Sequence, residues 1–222
     1  MRIFFSSTLK HEPLHNLAKR FRACSRLLFA SGVLTLAVAG CGAPRPIKYY
    51  QLTYPSVASS QQAPLNVSLL VNLFEASHLY RDERIVYSTG PQELGVYESQ
   101  RWVVPPVDML QDALVRGLRS GGRFKSVMVV RSEGGGDFGL SGHIYEFGEA
   151  DGSEVVARLR YVVRLRDRKT GMIVWTHAYA HDEPAGAKTV PAVAAAMDKN
   201  VQRSVADVQA GLDEYFQAHP PK

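Results

Sequence analysis

Between Arg158 and Arg166 the chain alternates, and that alternation leaves little room for anything but a half-buried strand. Arg158, Arg160, Arg164 and Arg166 share one parity with Val162, while Leu159, Tyr161, Val163 and Leu165 share the other. Successive strand side chains point to opposite faces, so period two puts the arginines on one face and an apolar row on the other. The strand reads as Val155–Arg166, and Leu140–Glu149 and Met172–His181 flank it. They are set off by Asp151-Gly152-Ser153 and by Asp167-Arg168-Lys169-Thr170-Gly171, turns short enough for two antiparallel hairpins. The three segments predict a meander.

Upstream, Lys48–Leu52 has the aromatic content of a strand, and Ser56 to Pro64 reads as a loop. Leu65–Phe74, Arg84–Ser88 and Glu93–Val104 predict three further extended pieces. After Pro105-Pro106, residues Val107, Leu110, Leu114 and Leu118 form one apolar helical face, stopped by Gly121-Gly122. Phe124–Arg131 predicts a strand and Glu133–Asp137 a turn. From about Thr189 to Phe216 a second helix is marked by Val190, Met197, Val201, Val205, Val208, Leu212 and Phe216. The charges Asp198, Lys199, Arg203, Asp207 and Asp213 lie off that stripe. The class expected is α/β: a mixed sheet with flanking helices, strands and a helix first, then an antiparallel meander and a long C-terminal helix.

The N-terminus speaks to compartment. Residues 1–26 carry Arg2, Lys10, Lys19, Arg20, Arg22 and Arg26 against Glu12, and an uncharged run from Leu27 to Ala39 follows. That run is shorter than the roughly 20 residues a membrane-crossing helix needs, but it suits the apolar region of a secretory signal. It ends at Val38-Ala39-Gly40-Cys41, which resembles the bacterial lipobox, where the cysteine takes acyl chains such as palmitate and becomes the mature N-terminus. An ordinary small-residue cleavage site is the other reading. The expected organisation is a signal over 1–40, a lipidated tether over 41–47 and a domain over 48–218. Gly42 after the cysteine, rather than aspartate, points to the periplasmic face of the outer membrane, with the inner membrane as the alternative.

Removing the signal changes the charge. The chain has 26 Lys+Arg and 21 Asp+Glu, of which residues 1–40 hold 6 and 1, so the mature chain carries 20 of each. The basic excess that would suggest nucleic acid as a partner is therefore discarded, and none is expected. The two cysteines, Cys24 and Cys41, lie in the signal and at the acylation point, so no disulfide within one mature chain is expected.

Catalytic patterns are incomplete. Gly134-Gly135-Gly136 lacks the Lys-Ser/Thr of a P-loop, and Gly139-Leu140-Ser141-Gly142 lacks the full spacing of a nucleophile elbow. On a strand His177 and His181 stand about 13 Å apart, too far to share an ion, and His143 on an adjacent strand does not change this. No metal or cofactor is expected. The arginine face has two readings: a solvated face partly neutralised by Glu146, Glu154, Asp182 or Glu183, or a contact for headgroup phosphates or an acidic partner.

Three segments carry a family resemblance. Lys48-Tyr49-Tyr50-Gln51-Leu52 after the lipobox, the run from Tyr97 through Trp102 and Pro105-Pro106 to Leu110, and Leu118 to Val127 together resemble the ABC-type transport auxiliary lipoprotein family. The resemblance implies a non-enzymatic periplasmic lipoprotein working with an MCE-domain protein and ABC transporter subunits, moving phospholipid or another apolar molecule between membranes. It implies a mixed sheet flanked by helices and brings no catalytic residues. Tyr97 and Trp102 would be structural or docking residues, and a homo-oligomer is left open. A lipid carrier that encloses its own apolar ligand is a second reading, and a cell-envelope enzyme a third.

Overall fold

The structure is a computed structural model that describes residues 45–53, 63–130 and 135–221. The expected signal, Cys41 and most of the Ser56–Pro64 loop lie outside the described residues. Pro46 onward belongs to one compact unit.

The strand with the alternating arginines is β8 (Val155–Asp167), and it pairs antiparallel with β7 (Phe138–Asp151) and β9 (Ile173–Pro184). The meander forms as expected, with each strand longer at one or both ends than its sequence pattern. The other edge of β7 takes three short parallel partners in succession. β2 (Leu65–Val71) meets it at Leu140, β3 (Glu75–Ala76) at Ile144, and β4 (Arg84–Gly90) at Ala150. β6 (Phe124–Val129) extends the sheet beyond β2, while β5 (Glu93–Trp102) and then β1 (Lys48–Tyr50) extend it beyond β4. The result is a mixed nine-stranded sheet among the described residues, the α/β class read from the sequence.

Helix α1 (Pro106–Ser120) starts with proline in its first turn, where a missing N–H costs nothing. It stops where Gly122 takes φ 65, a left-handed conformation that glycine adopts without strain. Helix α2 (Val190–Ala218) is capped by the Thr189 side chain and spans about 44 Å at about 1.5 Å per residue. α2 packs on β8 and β9, α1 on β6, β7 and the 3-10 turn His78–Arg81, and the two helices touch each other. Both therefore cover one face of the sheet. Leu159, Tyr161, Val163 and Leu165 lie under α2, essentially without exposure, and Phe216 closes the core edge-on against Phe124 and Phe138.

Two of the boundaries that differ from the sequence reading bear on packing and pairing. The expected strand Leu65–Phe74 stops at Val71, because the Phe74 N–H donates to Gln111 Oε1 of α1 at 2.9 Å and its ring lies over Gly142, where a Cβ would collide. The chain leaves the ladder, then re-enters as β3. The expected strand Glu93–Val104 ends at Trp102, beyond which Val103 N still donates to Tyr50 O at 2.8 Å.

Candidate docking face

Because α2 covers the apolar row of β8, the arginine row points away from both helices onto the open face of the sheet. Register decides what each arginine meets. Arg158 pairs across the ladder with Asp182 and reaches it with Nε at 3.1 Å and Nη2 at 2.8 Å, a fork that grips both carboxylate oxygens. Arg160 Nη1 donates to the same carboxylate at 2.8 Å. Glu146, opposite Arg160 on β7, approaches Arg158 at 3.6 Å and Arg160 at 3.8 Å. Two arginines thus face two carboxylates, and this half of the row is neutral. Of the four acids the sequence offered, Glu146 and Asp182 serve here, whereas Glu183 turns to His181 and Arg203.

The other half differs. Arg166 donates to the carbonyl of Gly171, and Arg164 has no hydrogen bond or ion pair among the described residues. Its ladder neighbours are Ser141 and Thr176. The row therefore splits into a closed pair and an open pair.

The hydrogen bonds from Arg158, then those from Arg160, pull the Asp182 carboxyl down to about 2 from 3.8. A carboxylate depressed on folding stabilises the protein above its unfolded pKa, and that contribution is lost as pH falls from about 4 to about 2. With the partners a third exposed, screening limits the effect to about 1 kcal/mol. Asp182→Asn should flatten the acid limb of a stability-versus-pH curve by that amount. Superimposable acid limbs for the two proteins would show that the bridge carries no net charge energy.

Tyr97 and Trp102 lie on β5 but do different things. Trp102 is 0% exposed and meets Phe147 edge-on at 5.7 Å, so it cannot present itself to a partner. Tyr97 is half-buried, stacks obliquely on Tyr87 and donates to Glu149 Oε2 at 2.9 Å. Burial, then this hydrogen bond, raises the Tyr97 hydroxyl above its ordinary range, and burial raises Glu149 as well.

The histidines go separate ways. His177 binds Asp207 of α2 at 2.9 Å, His181 binds Glu183 at 3.2 Å, and His143 faces Glu75 at 3.5 Å. Among the described residues no three potential ligands converge. A groove of about 700 Å³ opens at the Phe138 end of the sheet, bordered by Asp137, Arg168, Lys169, Tyr215 and His219. What the sequence reading did not single out is the β8–β9 turn beside it, where Met172 and Ile173 are 65% and 47% exposed. The signal was available: two apolar residues directly follow the turn glycine.

Among the described residues, helices on one side and a charged sheet surface without helices on the other define an α/β domain. The family model described as ABC-type transport auxiliary lipoprotein component matches residues 50–209, and the chain belongs to that family. It is thus an auxiliary component of a transport system, not a member of a known enzyme family, and its membership implies transporter subunits as partners and an envelope, membrane-associated setting. Among solved structures, it is similar to a Xanthomonas campestris protein of family DUF330 at 24% identity, covering 74% of this chain and 93% of that one, with a TM-score of 0.67. A second, described as an uncharacterized protein, shares 16% identity over 74% of this chain and 97% of that one, with a TM-score of 0.58. These likenesses show a shared fold. A search of curated proteins returned no match.

Proposed function

We propose that this chain is the lipid-anchored periplasmic auxiliary lipoprotein of an ABC/MCE-type system that moves phospholipid or another apolar molecule between membranes. Membership of the auxiliary lipoprotein family carries this reading. The signal over 1–40 is removed, Cys41 is acylated, residues 41–47 form the tether, and the domain over 48–218 docks on an MCE-domain protein. Six residues between Cys41 and β1 reach roughly 20 Å at about 3.4 Å each, so the domain works at the bilayer surface. Gly42 favours the outer membrane. The arginine face is a contact for anionic headgroups or an acidic partner, chiefly through Arg164 and Arg166, since Arg158 and Arg160 are already paired.

Deleting the gene should give the envelope-permeability defect of deleting the transporter, with no further defect in the double deletion, and crosslinking in intact cells should capture the MCE protein. Cys41→Ala should abolish incorporation of labelled fatty acid, because that cysteine takes the acyl chains, and should leave the protein soluble or unprocessed, since stable anchoring takes more than one chain. An additive defect without a crosslink would favour an independent carrier, and recovery with inner-membrane vesicles would overturn the outer-membrane assignment.

A further inference from the structure

The β8–β9 turn is built to hold apolar side chains outward. Asp167 N donates to Met172 O and Gly171 N to Asp167 O, both at 2.9 Å, while the Asp167 carboxylate accepts from Lys169 N at 2.7 Å and Thr170 N at 3.1 Å. Gly171 sits at φ 75, and the Arg166 guanidinium reaches round to its carbonyl. The backbone is thereby fixed, with Met172 exposed at the base of the turn opposite Asp167 and Ile173 directly across the ladder from Arg166 on the open face. Arg166 and, two residues back on the same face, Arg164 lie beside this pair, while the exposed Lys169 stands in the turn itself, and the nearby carboxylates of Asp137 and Asp167 are turned to the backbone N–H groups of Ser68, Lys169 and Thr170.

Single exposed apolar residues are ordinary. Two adjacent ones on a closed turn, with arginines beside them and a lysine in the turn, match a different environment, an apolar layer lying just beneath anionic phosphates. We infer that the β8–β9 turn inserts Met172 and Ile173 into the surface of an anionic phospholipid bilayer while Arg164, Arg166 and Lys169 engage the headgroup phosphates. The inference rests on the anchored-lipoprotein reading in one respect: a short tether keeps the bilayer at high effective concentration, so a weak contact suffices. It makes the turn a second membrane contact that sets the orientation of the domain, with the rest of the sheet facing away from the lipid.

The test uses the processed, lipidated protein in vesicles of phosphatidylcholine with or without phosphatidylglycerol. Met172→Cys supplies the unique free thiol, since Cys24 leaves with the signal and Cys41 is acylated, and it carries an environment-sensitive dye. With phosphatidylglycerol present, the emission should shift to the blue and be quenched by spin-labelled lipid, whereas a dye at the exposed Thr89, by the far end of β7, should stay aqueous. Arg164→Gln with Arg166→Gln should lower the ratio of inserted to free turn about 25-fold, at about fivefold per charge. Raising ionic strength should release the unaltered turn in the same way. Aqueous emission at position 172 in anionic vesicles would overturn the inference, as would a shift that appears only when the MCE protein is added. If the dye stays aqueous while the cellular crosslink persists, this inference alone fails. If the dye inserts and the crosslink is absent, the transport reading alone fails.

Discussion

Trp102→Ala should destabilise the domain by about 4 kcal/mol, within the roughly 3–5 kcal/mol range for emptying a buried aromatic site. The indole is wholly buried at the end of β5, and its ring edge packs on Phe147 of β7, so the cavity would open between two strands that do not pair with each other. Its backbone N–H donates to Glu83 O at 2.6 Å, which fixes the entry of β4 alongside. Against a total stability of about 5–15 kcal/mol, a loss of this size is a large fraction. Urea unfolding is the measurement, with the midpoint falling and the slope unchanged. Trp102→Phe should cost much less, because it keeps most of the apolar volume and removes an indole N–H that has no partner among the described residues. A docking residue would show the reverse pattern: an unchanged midpoint and a lost crosslink.

That contrast shows what the sequence could and could not carry. Period two between Arg158 and Arg166 was enough to place Leu159, Tyr161, Val163 and Leu165 in the core, because one-sided burial fixes parity without knowledge of the partners. The stripe of α2 was legible for the same reason, with Met197, Val201, Val205, Val208, Leu212 and Phe216 all buried. Pairing was not legible. Three short parallel partners on one edge of β7 depend on where β2, β3 and β4 meet a strand far along the chain, and local pattern holds no record of that. The division of the arginine row is also a matter of register: Asp182 closes off Arg158 and Arg160 only because the β8–β9 turn sets that pairing. The charges off the helix stripe carried no sign of a partner. Yet Asp198 accepts from Thr53 N at 2.8 Å, and Asp213 from Arg123 at 2.8 Å.

The Thr53 contact bears on anchoring. The segment that follows the proposed tether forms β1 at the sheet edge, buries Leu52 and is then tied by Thr53 to α2. A pull on the tether is met by strand pairing, core burial and a side-chain clasp together. The proposed membrane turn lies elsewhere, between β8 and β9. A domain held at two separated points has a defined orientation, whereas one held only by a flexible tether does not.

Replacing Asn200 should have the other large effect, and its pH dependence identifies the cause. Asn200 is 0% exposed; its Nδ2 donates to Ala157 O at 2.9 Å and His181 O at 3.1 Å, and its Oδ1 accepts from Tyr179 Oη at 2.8 Å. One side chain thus joins α2 to both β8 and β9. Asn200→Ala removes these bonds, and with about 1–3 kcal/mol for each buried group left unpaired the expected loss is about 3 kcal/mol. Tyr179→Phe in the same background should cost less than it does alone, since the partner is already gone. Asn200→Asp keeps the shape but replaces the donating amide by an oxygen that faces two carbonyls. Its carboxyl would be held protonated in the folded state, raised above the unfolded value of about 3.9. A carboxyl raised on folding destabilises increasingly as pH climbs above the unfolded pKa, so the deficit of Asn200→Asp should shrink steadily as pH is lowered from 7 towards 4. The deficit of Asn200→Ala should stay constant over the same range. Equal deficits for Asn200→Asp at both ends of that range, measured by thermal or urea unfolding, would mean that position 200 is reached by water and that the helix is held to the strands by apolar packing alone.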